Sequence, residues 1–448
     1  MNQESPGMTS RLANFIVNTQ KTDIPEIIFE HAKVAFMDWL AVTMGGKDDP
    51  LVHKLIQYTD LLGGKEQATI IGHGIKKTMA QAALINGSAS HALDYDDSLA
   101  SFLGHPTVTL FPGLMALGEV YHKSGDDILS AYIIGLKAGT VIASCAGFDH
   151  YMSGFHGTAT IGCLASAAAC SRLLNLDVQQ TIYALGIAAT QSGGLKQNFG
   201  SMCKPFHAGR ASEAGLMSAN LAGNGFTAAA DILEGANGFF KAMQGAVNEN
   251  ILNTLGQTWA IEELAQKYHA SCHVTHSPIE AAWSIFDEQG LSVADVKSIK
   301  VYSSEMGLSA AYRTEAHNGL EGKFCIAYCV SNALIRGREH TGLQAFSDER
   351  VNDPEVQAFM NKISTVQEND FLALEAKVEI ETNGGETYSA FSNILNEIPK
   401  LDVKQIKIKD KFSDLCLPVV GVKNSQQLID LITNLNSVTD IHQLVDLF

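Results

Sequence analysis

The feature that most constrains the fold is a series of apolar segments built largely from small residues. Five stretches consist mainly of Ala, Leu, Ile, Met and Gly, at 79–93, 107–123, 126–147, 157–174 and 178–192. Small side chains let helix axes approach closely, so these stretches favour a bundle of buried helices. The apolar run 157–172 is shorter than the roughly 20 residues that a membrane span needs. We therefore predict that they are core helices of a globular protein.

A sixth helix is predicted near the amino terminus. Apolar residues recur at three-and-four spacing between Ile27 and Leu40, behind a candidate N-cap at Asp23 and Pro25 in the first turn. Gly45 and Gly46 predict its end. From about residue 8 to 265 the periodicity is helical throughout, which predicts an all-helical domain over 1–265.

The pattern changes after residue 266. Ser277-Pro278-Ile279-Glu280 is typical of a capping box and predicts a helix to about 288. Alternating residues at 376–380 and 387–391 flank Asn383-Gly384, which predicts a hairpin, and helices are expected at 323–336 and 353–362. We predict a smaller α+β domain over 266–400. From about residue 401 the chain is expected to return to helix, with helices at 424–435 and 437–447, and the terminal helices of 401–448 are expected to pack back on the first domain. The predicted fold class is mainly α.

Charge and cysteine content limit the partners. The 448 residues hold 48 acids against 31 bases, a formal net charge of −17, and no basic concentration that would bind nucleic acid or an anionic membrane. The eight cysteines lie mostly in apolar context without metal-type spacing, which is typical of reduced thiols in a cytoplasmic protein. The first twenty residues lack the pattern of a signal peptide, so we expect a soluble, cytoplasmic protein.

The first polar cluster in the apolar region runs from His91 to Ser98 and includes Asp94, Asp96 and Asp97, with His105-Pro106 following. Three carboxylates in four residues cannot all be buried without cations or protonation. One interpretation is an acid/base site in which Asp94 orients His105. A loop whose aspartates cap the next helix explains the same residues. A metal site is less favoured, because the cluster has neither a calcium-loop ladder nor a His-x-x-x-His pair.

Three further clusters follow. His156 stands between Gly154 and Gly157 at a predicted helix N-terminus, where an anion or a simple capping turn is expected. Lys204, His207 and Arg210 supply three potential cations for a carboxylate or phosphate, although a solvated basic turn is equally open. The stretch Lys267 to His276 has three histidines, but their spacing argues against zinc.

Taken in order, these clusters resemble the MmgE/PrpD family, which includes 2-methylcitrate dehydratases, cis-aconitate decarboxylases and iminodisuccinate epimerases. The matching stretches are Ala68-Thr69-Ile70-Ile71-Gly72, Asn86 to Asp97 with His105-Pro106, Gly154-Phe155-His156, Lys204-Pro205-Phe206-His207-Ala208-Gly209-Arg210-Ala211, and Lys267 to His276. The resemblance covers about residues 10–400. It implies a large helical domain, an α+β lid, a cleft between them, and a homodimer.

The resemblance also implies roles for individual residues. The catalytic residues are expected to be His105, Asp94, His156, Lys204 and Lys267, with Ser98, His276 and Arg210 binding substrate. Three departures concern the reaction: Ser98 replaces a common Thr, Gly157 follows His156 where Pro is frequent, and His269-Ala270 interrupts an aromatic-Pro pair. The lid tyrosine that some members use is expected at Tyr302 or Tyr312.

The chemistry of such a site indicates a cofactor-independent and metal-independent lyase. Loss of carbon dioxide or water next to a carboxylate adds negative charge to a polyanion, and Lys204 and Lys267 would stabilise that charge. Histidine carries protons near neutral pH. We expect a small di- or tricarboxylate substrate that is decarboxylated or dehydrated. The alternatives are an epimerase that returns the proton to the other face, and a helical binding protein without activity.

Overall fold

The computed structural model describes residues 7–396 and 398–448 of the chain. Its first part is a bundle of long helices with a small two-stranded ribbon. The bounds of these elements are α1 Met8–Asn18, α2 Glu26–Gly46, α3 Pro50–Leu62, β1 Ala68–Ile70, β2 Ile75–Lys77, α4 Met79–Ala92, α5 Thr107–Val120, α6 Gly125–Met152, α7 Gly157–Leu173, α8 Val178–Ala189, α9 Cys203–Gly223, α10 Phe239–Ala242 and α11 Glu249–Leu252.

The five small-residue helices predicted from the sequence are confirmed as α4 to α8, and α2 is confirmed as the sixth. Close helix contacts explain the small residues, since a Cβ added to Gly87 of α4 would lie 2.8 Å from the Cα of Gly209 in α9. The predicted N-cap of α2 is wrong: Asp23 ends a short 3₁₀ turn, and the extended Pro25 precedes the helix. Proline has no N–H to satisfy, so it serves at this boundary.

The second part combines short helices with a sheet. Its elements are α12 His276–Gln289, β3 Val296–Ser303, α13 Glu305–Ala310, α14 Gly319–Gly322, α15 Ile326–Arg336, α16 Asp348–Val351, α17 Pro354–Met360, β4 Ile363–Gln367, β5 Glu375–Thr382 and β6 Thr387–Asn393. The strand order is β4-β3-β5-β6, with β3 parallel to β4 and antiparallel to β5.

The predicted hairpin is confirmed as the antiparallel pair β5 and β6, with Val378 opposite Ala390. The predicted capping box is wrong. Helix α12 begins one residue before Ser277, without a side-chain cap, and the Ser277 hydroxyl donates instead to the carbonyl of Leu374 at 2.5 Å. The hydrogen bond to Leu374, which immediately precedes β5, thus replaces the local cap.

The chain ends in α18 Leu401–Thr433 and α19 His442–Val445. The predicted return to helix at about residue 401 is confirmed by the start of α18, and this helix is interrupted by Gly421, whose φ of 78° is left-handed. The predicted helix 437–447 is reduced to the four residues of α19. Ile408 and Phe412 of α18 lie in the same core as α2, so this terminal segment packs on the helical part of the molecule.

Two hydrophobic cores run through the described residues. The first joins the helices of residues 8–264 with the terminal segment, and the second joins α12, the sheet and α15. Helix α6 is long and apolar enough to cross a membrane, but 94% of its most apolar window is buried in the fold, which is the environment of a core helix. All eight cysteines are free, and among them Cys203 alone is exposed.

Candidate active site

The acidic loop begins where α4 ends. Asp94 adopts a left-handed backbone with φ 49°, which aspartate tolerates better than most residues. This turn breaks the helix and directs the chain across its end, so that the carboxylates of Asp94, Asp96 and Asp97 all lie inside the protein. Burial of three carboxylates requires compensation, and each of the three is compensated differently.

Asp94 is held by two lysines from distant parts of the chain. Its Oδ1 lies 2.8 Å from the Nζ of Lys204 at the start of α9 and 2.7 Å from the Nζ of Lys267, which also donates to the Asp94 carbonyl at 2.9 Å. Lys267 is fully buried, and the other two are 3% exposed. Burial alone would raise the pKa of Asp94, but the two ammonium groups lower it well below its ordinary value. One carboxylate between two cations leaves a local positive charge.

His105 is oriented by Asp96 and by the loop backbone. Its Nδ1 lies 2.7 Å from the carbonyl of Asp97 and 3.1 Å from Oδ2 of Asp96, whose Oδ1 is 2.8 Å from Nδ1 of His91. Asp94, which we expected in this role, lies 4.0 Å from the opposite nitrogen, Nε2. The arrangement favours a proton on Nδ1 and a free Nε2. Burial lowers the pKa of His105 against the opposing effect of Asp96, so the ring is neutral in the empty site.

His156 immediately precedes α7 and faces α9. Its Nδ1 lies 3.1 Å from Nδ1 of His207, and its ring packs edge-on against Phe199 with centroids 4.8 Å apart. Burial, with His207 and Lys204 nearby, lowers the pKa of His156 well below its ordinary value. The neutral imidazoles of His156 and His207 therefore form a pair that offers hydrogen-bonding groups rather than positive charge. His207 was considered only as a cation in the sequence, and its pairing with His156 depends on helix packing.

Ser98, His105, His156 and Lys204 line one cavity, while Asp94 and Lys267 lie behind that wall. Thus six of the eight predicted site residues converge. The opposite wall comes from the α+β part and, apart from His273, is apolar. Its apolar residues include Val274, Met306, Ala310, Ala373 and Leu374.

Two predicted substrate-binding residues lie elsewhere. Arg210 points to the surface of α9, where it pairs with Glu213. His276 lines a second cavity, and the histidine at the first cavity is His273, whose Nδ1 pairs with the Ser98 hydroxyl. The sequence cluster was thus informative, but helical phase decides which of its histidines faces the cavity.

The two candidate lid tyrosines do not line the cavity. The Tyr302 hydroxyl donates to Glu379 at 2.7 Å, and that of Tyr312 donates to the Phe199 carbonyl at 2.9 Å. Tyr151 near the end of α6 lines it instead, with Lys196 3.9 Å above its ring. Burial raises the pKa of Tyr151 above its usual range, so its hydroxyl stays protonated. No motif in the sequence singled out Tyr151.

A second layer of buried charges supports the loop. Lys411 of α18 lies 2.7 Å from Asp38 of α2 and donates to the carbonyls of Tyr95 at 2.6 Å and Lys267 at 3.1 Å. The terminal helix thereby fixes both the loop and the lysine that holds Asp94. The sequence signal for this pair is Asp38 itself, a charge on the apolar face of α2.

Two overlapping groups of side chains at the site have the spacing of a metal site, and one of them is formed by His91, His105 and His156. In the other, single ligand atoms of His91, Asp94, Asp96 and His105 lie within 4.8 Å of one another. However, Asp94 is already neutralised by two lysines, and Asp96 bridges His91 and His105. An added divalent cation would stand beside two ammonium groups, which disfavours it electrostatically. The prediction of a metal-independent site is retained on this ground.

The cavity combines a buried lysine with imidazoles, an arrangement of charge and hydrogen-bonding groups that suits a small anionic ligand. Comparison with known families identifies the family to which the chain belongs. The model of the MmgE/PrpD N-terminal domain matches residues 10–250, and that of the C-terminal domain matches residues 269–437. The chain belongs to the MmgE/PrpD family.

Relatives with a named activity share the full length of the chain. It is 28% identical to a cis-aconitate decarboxylase of Aspergillus terreus, over 98% of this chain and 96% of the relative. It is 24% identical to the cis-aconitate decarboxylase of Mus musculus, and the match covers 98% of this chain and 93% of that protein. It is 23% identical to the cis-aconitate decarboxylase of Homo sapiens, and the match covers 98% of this chain and 94% of that protein.

Proposed function

We propose that this protein is a cofactor-independent decarboxylase of a small unsaturated tricarboxylate of the cis-aconitate type. The observation that carries the proposal is the placement of Lys204 and Lys267 on one carboxylate, beside His105, in a cavity closed by an apolar wall. The names of the full-length relatives support the same reaction. The two parts of the cavity wall suit the two parts of such a substrate, its carboxylates and its carbon skeleton.

Substrate carboxylates are proposed to bind on the polar side of the cavity. Lys204 supplies a positive charge, and Ser98 and Tyr151 supply hydroxyl groups on the same cavity. Buried cations act at low effective dielectric, where their effect on a developing charge is several times larger than in water. Asp94 then has a positioning role, because it fixes both ammonium groups before substrate arrives. Asp94 neutralises part of the positive charge of the two ammonium groups. Because the ammonium groups are already in position, they need not reorganise during the reaction.

The proposed reaction takes up one proton in each turnover. The bond between the substrate carbon and one carboxylate breaks, and carbon dioxide leaves without the bonding electron pair. That pair spreads over the adjacent double bond and carboxylate as an extended enolate, which Lys204 and Lys267 stabilise. A proton from Nε2 of His105 then forms the new C–H bond. His105 is neutral in the empty site, and a bound polyanion favours its protonation.

The main alternatives share this proton chemistry. A dehydratase would expel water, and an epimerase would remove a proton and return it to the opposite face. The experiment is to incubate the purified protein with cis-aconitate, 2-methylcitrate, citrate and iminodisuccinate. Release of carbon dioxide from cis-aconitate is the expected result. A new double bond without carbon dioxide favours dehydration, and a change of chirality alone favours epimerisation. No reaction with any substrate, and no thermal shift with any of them, would support a binding protein or a substrate outside this panel.

Two properties of the family are also proposed for this chain. The first is a homodimer, which sedimentation equilibrium tests directly through the mass relative to the 48.1 kDa chain. The second is the boundary near residue 265 between a helical domain and an α+β lid, with the terminal helices returning to the first. The two separate cores and the interval between the family models, 250–269, support that boundary.

A further inference from the structure

A second histidine cluster lies on the surface and takes no part in the proposed reaction. His122 follows α5, and His442 opens α19 at the other end of the chain. Their Nδ1 atoms each lie 2.9 Å from a different oxygen of Asp440, and their rings stack with centroids 4.7 Å apart. The side chains are 70%, 29% and 35% exposed for His122, His442 and Asp440. Three groups that ligate metals thus converge on one accessible point.

The separations suit a transition-metal ion. Zn²⁺ binds imidazole nitrogen at about 2.0–2.1 Å and carboxylate oxygen at about 2.0–2.2 Å, so adjacent ligand atoms in a tetrahedral site stand about 3.4 Å apart. One ligand atom from each of the three residues lies within 4.8 Å of the others. An ion that replaces the two shared protons therefore needs only small side-chain movements. The exposed side of the cluster leaves room for water as a further ligand.

Charge and backbone also favour this use of the cluster. The His442 backbone N–H donates to Oδ1 of Asp440 at 3.0 Å, which fixes the carboxylate between the two imidazoles. His122 has a left-handed φ of 51°, which aims its ring at the terminal segment. The cationic residue next to His122 in the sequence is Lys123. Its backbone carbonyl accepts a hydrogen bond from the backbone N–H of Ile441 at 2.9 Å. Gly125 N donates to the Val438 carbonyl at 2.8 Å, so the two segments are already joined.

We propose that His122, Asp440 and His442 form a binding site for a divalent transition-metal ion, Zn²⁺ before harder ions. The ion would fasten the terminal segment to the turn between α5 and α6. Imidazole suits zinc, copper and nickel, whereas magnesium and calcium prefer all-oxygen sites. The consequence of occupancy is stability, since a ligand that binds the folded state alone shifts the unfolding equilibrium. The site is separate from the cavity and is not expected to change turnover.

The test uses the full chain without a histidine tag, stripped of metal and titrated with ZnCl₂ by calorimetry. We expect one zinc site per chain that disappears in His122→Ala and in His442→Ala and persists in His317→Ala. His317 is the matched control, because it is an exposed histidine that faces a single carboxylate, Glu315, at 3.5 Å. Saturating zinc should raise the thermal midpoint of the wild type by about 2 °C or more, and should do so much less in either variant.

Two further measurements keep the proposal falsifiable. If an alanine variant folds poorly, Asp440→Asn keeps the shape of the carboxylate and should still weaken zinc binding. Mg²⁺ titration should give no comparable signal. Zinc binding that survives both histidine variants would assign the ion to another site, such as the buried histidines, and would overturn the proposal. Absence of zinc binding by the wild type would overturn it as well, leaving a hydrogen-bonded triad.

Discussion

The two sides of the cavity are built in opposite ways. The helical side presents ionisable groups at or near helix ends, namely Lys204, His105 and His156, with Asp94 directly behind. Lys267 reaches Asp94 from the segment that joins the two parts. The α+β side presents one imidazole, His273, and is otherwise apolar, with no lysine, arginine or carboxylate facing the cavity among the residues described. Its apolar residues include Met306, Ala310, Ala373 and Leu374. We infer that the helical side provides the reaction and the α+β side provides fit and exclusion of water. Substitutions on the two sides should therefore change different kinetic constants.

The largest effect is expected at Lys267, whose ammonium group holds Asp94 of the helical side. Replacement of Lys267 with Met leaves Asp94 ionised beside a single cation, so both the field at the cavity and the position of Lys204 change. Loss of one such preorganised charge lowers kcat by about 10²- to 10³-fold, and KM should rise as well. Breaking a buried ion pair also costs about 3–5 kcal/mol of the free energy of unfolding. Steady-state kinetics and urea denaturation measure the two effects.

The matched control is Lys407→Met, which removes an exposed lysine of α18 that lies over the ring of Tyr268. It should leave the kinetic constants unchanged. Lys204→Met should resemble Lys267→Met in kinetics. If both buried lysines can be replaced without loss of turnover, the charge is not used and the proposed function of this side is wrong.

The next effect concerns the proton carrier. His105→Gln keeps a hydrogen-bonding group but cannot carry a proton, so kcat should fall by about 10²-fold or more with little change in KM. Asp96→Asn should lower kcat by a smaller factor and alter its pH dependence, because Asp96 sets the ring orientation. Exchange of product C–H with solvent D₂O reports the proton step directly. Wild-type exchange in His105→Gln would transfer the role to another group, with His156 the next candidate.

A smaller effect is expected on the apolar side. Met306→Ala enlarges the cavity without removing a charge, so it should raise kcat/KM for a methyl-substituted tricarboxylate relative to cis-aconitate. One methylene in an apolar pocket changes such a ratio by about 10-fold or more. The control is Met217→Ala on the exposed surface of α9, where 37% of the methionine is accessible. An unchanged ratio, or a loss of kcat for both substrates, would contradict the division between the two sides.

The same comparison shows what the sequence could predict. Helices α4 to α8 were predictable because small apolar residues repeat over whole segments, and the hairpin because Asn383-Gly384 separates two alternating runs. Strand β4 was missed because its residues are largely exposed and it is defined by pairing with β3. Local patterns carry no information on such distant partners.

The site follows the same rule. The ordered motifs identified Lys204 and Lys267 as site residues, yet their convergence on Asp94 joins positions 110 and 173 residues apart. We predicted Asp94 as the partner of His105, but the partner is Asp96. This difference depends on the left-handed backbone of Asp94. Likewise, His273 faces the cavity and His276 does not because of their positions around one turn. Such choices are made by backbone geometry, which spacing alone cannot resolve.

The buried imidazoles also predict how stability depends on pH. Burial lowers the pKa of His91 to about 3 and of His207 to about 4, and lowers those of His105, His156, His273 and His276. In the unfolded chain these groups titrate near 6.5. As pH falls below that value the unfolded chain takes up protons that the folded protein does not, so stability decreases with falling pH.

Four carboxylic acids oppose this trend, since burial raises the pKa of Asp38, Asp49, Asp97 and Glu213. They favour the folded state as pH falls, but the imidazoles outnumber them. We therefore expect the calorimetric unfolding midpoint to fall between pH 7 and pH 5. His31→Gln should flatten the decline slightly, because burial lowers the pKa of His31 to about 4. A midpoint that rises over this range would mean that the acids dominate.

The smallest effect is expected from chelation. EDTA should leave kcat unchanged, because the groups of the helical side that have metal-like spacing already neutralise one another through Lys204 and Lys267. If the surface cluster of His122, Asp440 and His442 holds zinc, chelation should lower the thermal midpoint while turnover at moderate temperature stays constant. Kinetics and calorimetry on the same EDTA-treated sample separate the two. Loss of turnover that one particular divalent ion restores would show that the helical side acts through a metal, and its lysines would then need another explanation.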